Sequence, residues 1–246
     1  MTTGGRPGGR QRGEGFTLVE LLVALVLGVL LLGAAIQLFG SLSRAVEAGI
    51  VRSDRMDALR TAWITVEREV RPGLPGRDWH LTPDGALELR GFRGIGRVCP
   101  GEPEPGVWGI LWTGDRLPVP GRDSLLVLAG DGGWYPAALT GWWEGWAPCV
   151  PVPGERDARI RIEGTIPGRP VLVRLFEQGS YSFHNRAFRW ERGQGGRQPL
   201  TPELFAGGSR FELLGAGEFM LRAEFTALPG VAGGGGVIAF PFRIDP

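Results

Sequence analysis

The chain has 246 residues and a formal net charge of +1, with 27 basic residues, all arginine, against 26 acidic ones. A length of this size fits one or two domains, and the near balance of charge gives no bulk attraction for phosphate. Its 42 Gly and 20 Pro predict many turns, while an apolar share of 43% is enough to build a core.

Residues 1–14 are polar and glycine-rich, with Arg6, Arg10 and Arg12 against Glu14 alone. From Phe16 to Phe39 the only polar side chains are Thr17, Glu20 and Gln37. At about 1.5 Å per residue, a helix of that length spans a bilayer core of ~30 Å. The arginines precede the run, which places residues 1–14 in the cytoplasm and residues 40–246 outside. A secretory signal peptide is the alternative, with a shorter apolar stretch followed by a small-residue cleavage site. Here the small residue, Gly15, comes before the apolar run, so a cut at that point leaves the helix on the mature chain.

Glu20 is the one charge in this run. A carboxylate in lipid costs roughly 2.5 kcal/mol or more on insertion scales and is normally there for a partner. Cleavage between Gly15 and Phe16 would create an α-amino group about one helical turn from Glu20, on the same face. Breaking a buried ion pair costs roughly 3–5 kcal/mol, so ammonium and carboxylate are stable together. The pair can form within one chain or between neighbours, and between neighbours it would set the axial register of a helical array.

The segment Gly15-Phe16-Thr17-Leu18-Val19-Glu20-Leu21-Leu22-Val23-Ala24-Leu25 resembles the type IV prepilin cleavage and methylation motif. The resemblance covers about residues 10–45. It implies processing by a prepilin peptidase after Gly15, N-methylation of Phe16, and packing of the helix into a filament core with Glu20 as the assembly contact. Major pilins often carry a proline inside this helix. This chain has none between Pro7 and Pro72, which leaves Gly28, Gly33 and Gly40 as points of local melting. The alternative is a plain signal anchor that contains a glutamate.

Beyond the apolar run, Leu42, Val46, Gly49, Ser53, Met56, Leu59, Trp63, Val66 and Val70 recur at spacings of three and four. Charged residues from Arg44 to Glu69 lie between them, and Pro72-Gly73 stops the pattern. One helix over 16–71, roughly 80 Å long, is expected: 16–39 crosses the membrane and amphipathic 40–71 lays its stripe on a head. A free-standing coiled coil is the rival, weakened by Gly49 and Ser53 in the stripe.

From residue 72 on, short extended runs alternate with Gly/Pro turns. Strands are predicted at 86–92, 107–112, 124–128, 134–139, 158–163, 171–178, 181–183, 187–192, 210–214, 219–226 and 237–242. A short helical turn is predicted at 202–205. Alternation in Ala158-Arg159-Ile160-Arg161-Ile162-Glu163 suits a half-buried antiparallel strand. The fold class expected is α+β: a cleaved leader at 1–15, the long helix at 16–71, and a β-rich antiparallel head at 72–246. The order of strands across 171–225, with the polar stretch from Arg192 to Leu200, resembles the head of large minor pilins of the PilW type. The J-type minor pseudopilin of type II secretion is similar.

Cys99 and Cys149 would lie in an oxidising compartment, where a disulfide is expected, with two buried thiols as the alternative. Trp142, Trp143 and Trp146 cannot all be buried on one side of a strand. They are a candidate contact surface for a subunit or ligand, set against ordinary core and loop packing. Residues 72–246 hold 18 Arg against 19 Asp and Glu, so nucleic-acid binding is not favoured. The local groups Arg90, Arg93 and Arg97, or Arg186, Arg189, Arg192 and Arg197, are expected to be solvated faces. His80 and His184 stand in no metal spacing, and no H-E-x-x-H, P-loop or G-x-S-x-G motif occurs. Gly233–236 reads as a turn before the last strand. No enzyme activity, cofactor or metal is expected.

The reading is a minor pilin-like subunit of a type IV pilus initiating or tip complex. Its implied partners are the peptidase, other major and minor pilins, the inner-membrane assembly platform and the lipid bilayer. Its implied location is the bacterial inner membrane, single-pass, and then the pilus or pseudopilus. A type II secretion pseudopilin, or an envelope-anchored adhesion or DNA-uptake module, is the alternative.

Overall fold

The computed structural model describes residues 17–101, 104–145, 147–193, 195–215, 218–225 and 236–243. A long apolar N-terminal helix is followed by a β-rich antiparallel head, an α+β arrangement. Helix α1 runs over Leu18–Val70 without a break at Gly28, Gly33, Gly40 or Gly49. It ends where Pro72 offers no N–H and Gly73 turns back to donate to the Val70 carbonyl.

The chain divides into two compact units, one ending at Ser53 and one beginning at Asp54. In the first, no residue from 17 to 53 is buried. In the second, the helix buries Ala58, Leu59, Ala62, Val66, Glu69 and Val70. The expected stripe therefore packs only from Leu59 onward, while Leu42, Val46 and Met56 stay exposed. Glu69, placed by periodicity among the solvated charges, is buried instead.

Twelve strands follow: β1 Trp79–Leu81, β2 Leu87–Val98, β3 Val107–Gly114, β4 Ser124–Ala129, β5 Trp134–Glu144 and β6 Arg156–Glu163. The rest are β7 Pro170–His184, β8 Ala187–Arg192, β9 Arg197–Pro199, β10 Arg210–Gly215, β11 Glu218–Phe225 and β12 Gly236–Arg243. The eleven predicted runs all fall on strands. Two of them fuse into the single long β7, while the three-residue β1 and β9 carry too little pattern to be read. The 202–205 segment is not helical, because Phe205 is drawn into the core and bridges to Phe225. Thr226 and residues 233–235 lie outside the described residues, and Gly236 opens β12.

Nine strands form one sheet in the order β1-β2-β3-β6-β5-β4-β7-β8-β9, and β2 also pairs with β7. That extra pairing closes β2, β3, β6, β5, β4 and β7 into a six-stranded antiparallel barrel. Strands β10, β11 and β12 make a separate sheet. Inside the barrel lie Trp108, Ile110, Trp112, Leu125, Val127, Leu139, Ile160, Val173 and Leu175. Two indoles fit because β2 places Gly94 and Gly96 beside them: a Cβ at Gly96 would stand 2.9 Å from Val173 Cγ2, and one at Gly94 would run into Trp112.

β2 and β7 outrun the barrel, and their inner face continues beneath the end of α1. There Leu87, Leu89, Tyr181 and Phe188 pack with Leu59, Val66 and Val70 of the helix and with Phe219 and Leu221 of the smaller sheet. Two hydrophobic cores thus share β2 and β7.

Candidate functional site

At the start of α1 the geometry is a capping box. The Thr17 backbone N–H donates to Glu20 Oε2 at 3.0 Å, and its hydroxyl donates to the same oxygen at 3.0 Å. In return the Glu20 N–H donates to Thr17 Oγ1 at 3.3 Å. Thr17 and Glu20 stand at the spacing this motif needs, so helix-end donors are satisfied reciprocally. The Thr-x-x-Glu signal was present in the sequence but hidden beneath the ion-pair reading of the same carboxylate. Gly15 and Phe16 lie outside the described residues. From Leu18 to Leu42 the helix presents apolar side chains outward, and it is long and apolar enough to cross a bilayer.

A second titratable cluster sits between the two cores, and sequence reading missed it. On β7 the inner-face positions run Val173, Leu175, Glu177, Gly179 and Tyr181, so Glu177 interrupts an apolar row. On β2 the register shifts between Phe92 and Gly94, leaving Arg93 as the extra residue of a β-bulge. The bulge re-aims Arg93 inward, where its Nη1 donates to both Glu69 oxygens at 2.7 Å and its Nε to Glu177 at 3.5 Å. Gly91 makes room, since a Cβ there would stand 2.6 Å from Arg93 Nη2 and 2.8 Å from Glu69 Oε2.

Glu177 also accepts from Arg116 at 3.2 Å and Arg122 at 3.0 Å, and pairs with Arg192. Arg116 in turn grips Asp123 bidentately, both contacts at 2.6 Å. Burial alone would raise the Glu177 pKa, but Arg122, Arg192 and Arg116 outweigh it and hold it below the usual carboxylate range. Burial likewise opposes the Arg93 charge, yet Glu69 and Glu177 hold its pKa above the ordinary arginine value. Tyr181, desolvated beside Glu69, is pushed up. Glu177 is thus kept as a bound carboxylate, and Glu69 and Asp123 are each gripped by an arginine, an arrangement that suits a structural junction.

The remaining candidates are dispersed. Cys99 and Cys149 are joined in a disulfide with their Cα atoms 5.6 Å apart, tying the end of β2 to the loop between β5 and β6. Trp142 and Trp143 point to opposite sides of β5: Trp142 packs edge-on against Trp112 at 5.7 Å, while Trp143 is 40% exposed beneath the Arg161 guanidinium. Trp146 lies outside the described residues. Of the arginines expected to be solvated, Arg97, Arg186 and Arg197 are exposed, whereas Arg93 and Arg189 are largely drawn in, and the groups also make ion pairs. Arg90 pairs with Asp78, Arg93 with Glu69, Arg97 with Glu155, Arg189 with Glu203, Arg192 with Glu177 and Arg197 with Glu191. Arg186, at the β7–β8 turn, is likewise engaged. His80 contacts Glu88, and His184 ends β7. No group of three or more potential metal ligands occurs among the described residues.

Residues 10–36 match the family described as the prokaryotic N-terminal methylation motif, the signal of type IV pilin-like prepilins. No curated protein and no solved structure matches the chain.

Proposed function

We propose that this protein is a minor pilin-like structural subunit, cut by a prepilin peptidase between Gly15 and Phe16, methylated on Phe16, and assembled through α1 into the initiating or tip complex of a type IV pilus. The observation that carries this reading is the methylation motif over residues 10–36, joined to a helix that is apolar from Leu18 and leads into a β-rich head. Within it, Glu20 is the assembly contact. Thr17 satisfies the carboxylate while the subunit stands alone. The ammonium of a neighbour offers a charge-assisted bond, roughly twice as strong as a neutral one, and displaces it on assembly.

The partners in this reading are the peptidase, major and minor pilins, the inner-membrane assembly platform and the bilayer, with the N-terminus cytoplasmic and the head outside. The strand order over 170–225, together with the size of the head, supports a PilW-type subunit. The minor pseudopilin of a type II secretion system shares the same N-terminal chemistry and is the second reading. The test is the mass of the mature N-terminus. A chain beginning with methylated Phe16 is expected, and recovery with residues 1–15 attached overturns the assignment. Glu20→Ala should insert into the membrane and fail to enter filaments; normal incorporation would remove Glu20 from the mechanism.

A further inference from the structure

Charge is unevenly matched at the rim of the junction between the two cores. Five arginines, Arg68, Arg93, Arg116, Arg122 and Arg192, make ion pairs there with three acids, Glu69, Asp123 and Glu177. Arg93 meets Glu69 and Arg116 meets Asp123, which leaves Arg122 and Arg192 to share Glu177. Among the described residues no other acid pairs with either of them. Glu191, beside Arg192 in β8, lies on the opposite face of the strand and pairs with Arg197. A positive charge therefore stands uncompensated at this rim.

Both arginines are anchored, and both remain within reach of solvent. They meet the same oxygen, Glu177 Oε1: Arg122 through Nη2 at 3.0 Å and Nε at 3.3 Å, Arg192 through Nε. The glutamate side chain is only 4% exposed, whereas those of Arg122 and Arg192 are 36% and 39% exposed. A guanidinium carries several N–H donors in a rigid fork. The Nη1 group of Arg122 and both Nη groups of Arg192 have no partner among the described residues. The backbone beneath them is fixed as well. Arg122 and Asp123 both donate from their N–H groups to the Val119 carbonyl, at 3.1 and 3.0 Å, and the Asp123 carboxylate accepts from the Val119 N–H at 2.7 Å. Gly121 (φ +77°) donates to the Leu139 carbonyl at 2.9 Å, and Arg192 closes β8 opposite Gly179 of β7. Two cationic forks are thus held around one oxygen before anything binds, and little ordering entropy is left to lose.

We propose that Arg122 and Arg192 form a binding site for an oxyanion, a carboxylate or a phosphate group, with Glu177 as the buried anchor that holds them together. The surplus charge selects the sign of the ligand: a cation would add to the repulsion between the guanidiniums, and a neutral ligand would leave it standing. The shape of the donors selects its chemistry. Paired N–H groups of a guanidinium match two oxygens of one anion, and such charge-assisted bonds are the stronger class of hydrogen bond. A halide lacks the separated oxygens that paired donors require. The site rests on the head alone, so it stands apart from the prepilin reading.

The test is thermal unfolding of the full chain in detergent, followed by tryptophan fluorescence, in sodium phosphate or sodium acetate against sodium chloride at matched ionic strength. A ligand that binds only the folded state stabilises it by an amount set by its concentration relative to Kd, so a titration yields the dissociation constant. Arg122→Gln and Arg192→Gln each leave Glu177 paired with Arg93 and Arg116, so neither variant strands the buried acid. Each is expected to raise the dissociation constant by about tenfold or more, the scale of one charge-assisted hydrogen bond. Arg169→Gln, at an exposed arginine between β6 and β7, should leave it unchanged. Saturation by phosphate alone assigns the site to phosphate groups, by acetate alone to carboxylates, and by both to either. A gain of equal size in the unaltered chain and in both Glu177-paired variants is the general effect of an excluded salt and overturns the proposal. So does the absence of any gain over chloride.

Discussion

Trp190 lies over Gly179 on the inner face of β7, where a Cβ would meet the indole and stand 2.6 Å from the Glu191 carbonyl oxygen. The same indole packs on Tyr181 with ring centroids 4.6 Å apart. Neither backbone nor ring has room to retreat, so Gly179→Ala is expected to destabilise the head by roughly 1–3 kcal/mol in urea unfolding, the range for overpacking a filled core. From sequence, Gly179-Ser180 looked like a break between two strands. A glycine inside a strand pattern marks a turn or a close approach equally well, and the cross-strand neighbour that distinguishes them is not adjacent in the chain. Glu20 illustrates the same limit. Its type and position were legible, but its hydrogen bonds to Thr17 depend on where the helix starts.

Helix α1 is joined to the barrel through an acid placed against the usual preference. Glu69 lies in the last turn, where the helix dipole disfavours a carboxylate, and it is only 4% exposed. What makes it tolerable is Arg93, 24 residues further on and turned inward by the β2 bulge. Removing one partner of such a pair leaves the other buried and uncompensated. Arg93→Ala is therefore expected to cost about 3–5 kcal/mol, measured by urea unfolding at neutral pH.

Acid should act on the same junction. The folded pKa of Glu177 is depressed, so its contribution is fully present above the unfolded glutamate value of about 4.3 and is lost as pH falls through the lower folded value. Unfolding midpoints measured from pH 7 down to pH 3 should drop mainly below pH ~4.3, and Glu177→Gln should flatten that drop. Helical periodicity cannot reveal this junction, because a buried glutamate and a solvated one look alike until the partner strand is known.

In the whole molecule the decisive contact is the pairing of β2 with β7, which converts a sheet into a barrel and carries both strands on beneath the helix. The disulfide lies near the other end of β2 and links residues 50 apart in sequence. In the chain-entropy account, closing a loop of that length contributes roughly 4 kcal/mol. Reduction should accordingly lower the urea midpoint of the head without changing its strand content, as followed by circular dichroism with and without reductant. An unchanged midpoint would show that the barrel closes without help from the cross-link.

The helix, its apolar first half, the methylation motif and nearly every strand were determined by the sequence alone. Each depends on residues near one another in the chain, through a 3.6-residue or two-residue period, a cap or a turn. The tertiary structure alone decided which part of the helix is buried, that the sheet closes on itself, and that Glu69, Arg93 and Glu177 meet between two cores. Those outcomes depend on pairings across dozens of residues, where the energy of a contact is set by its partner and by exclusion of water, and neither is written in local pattern.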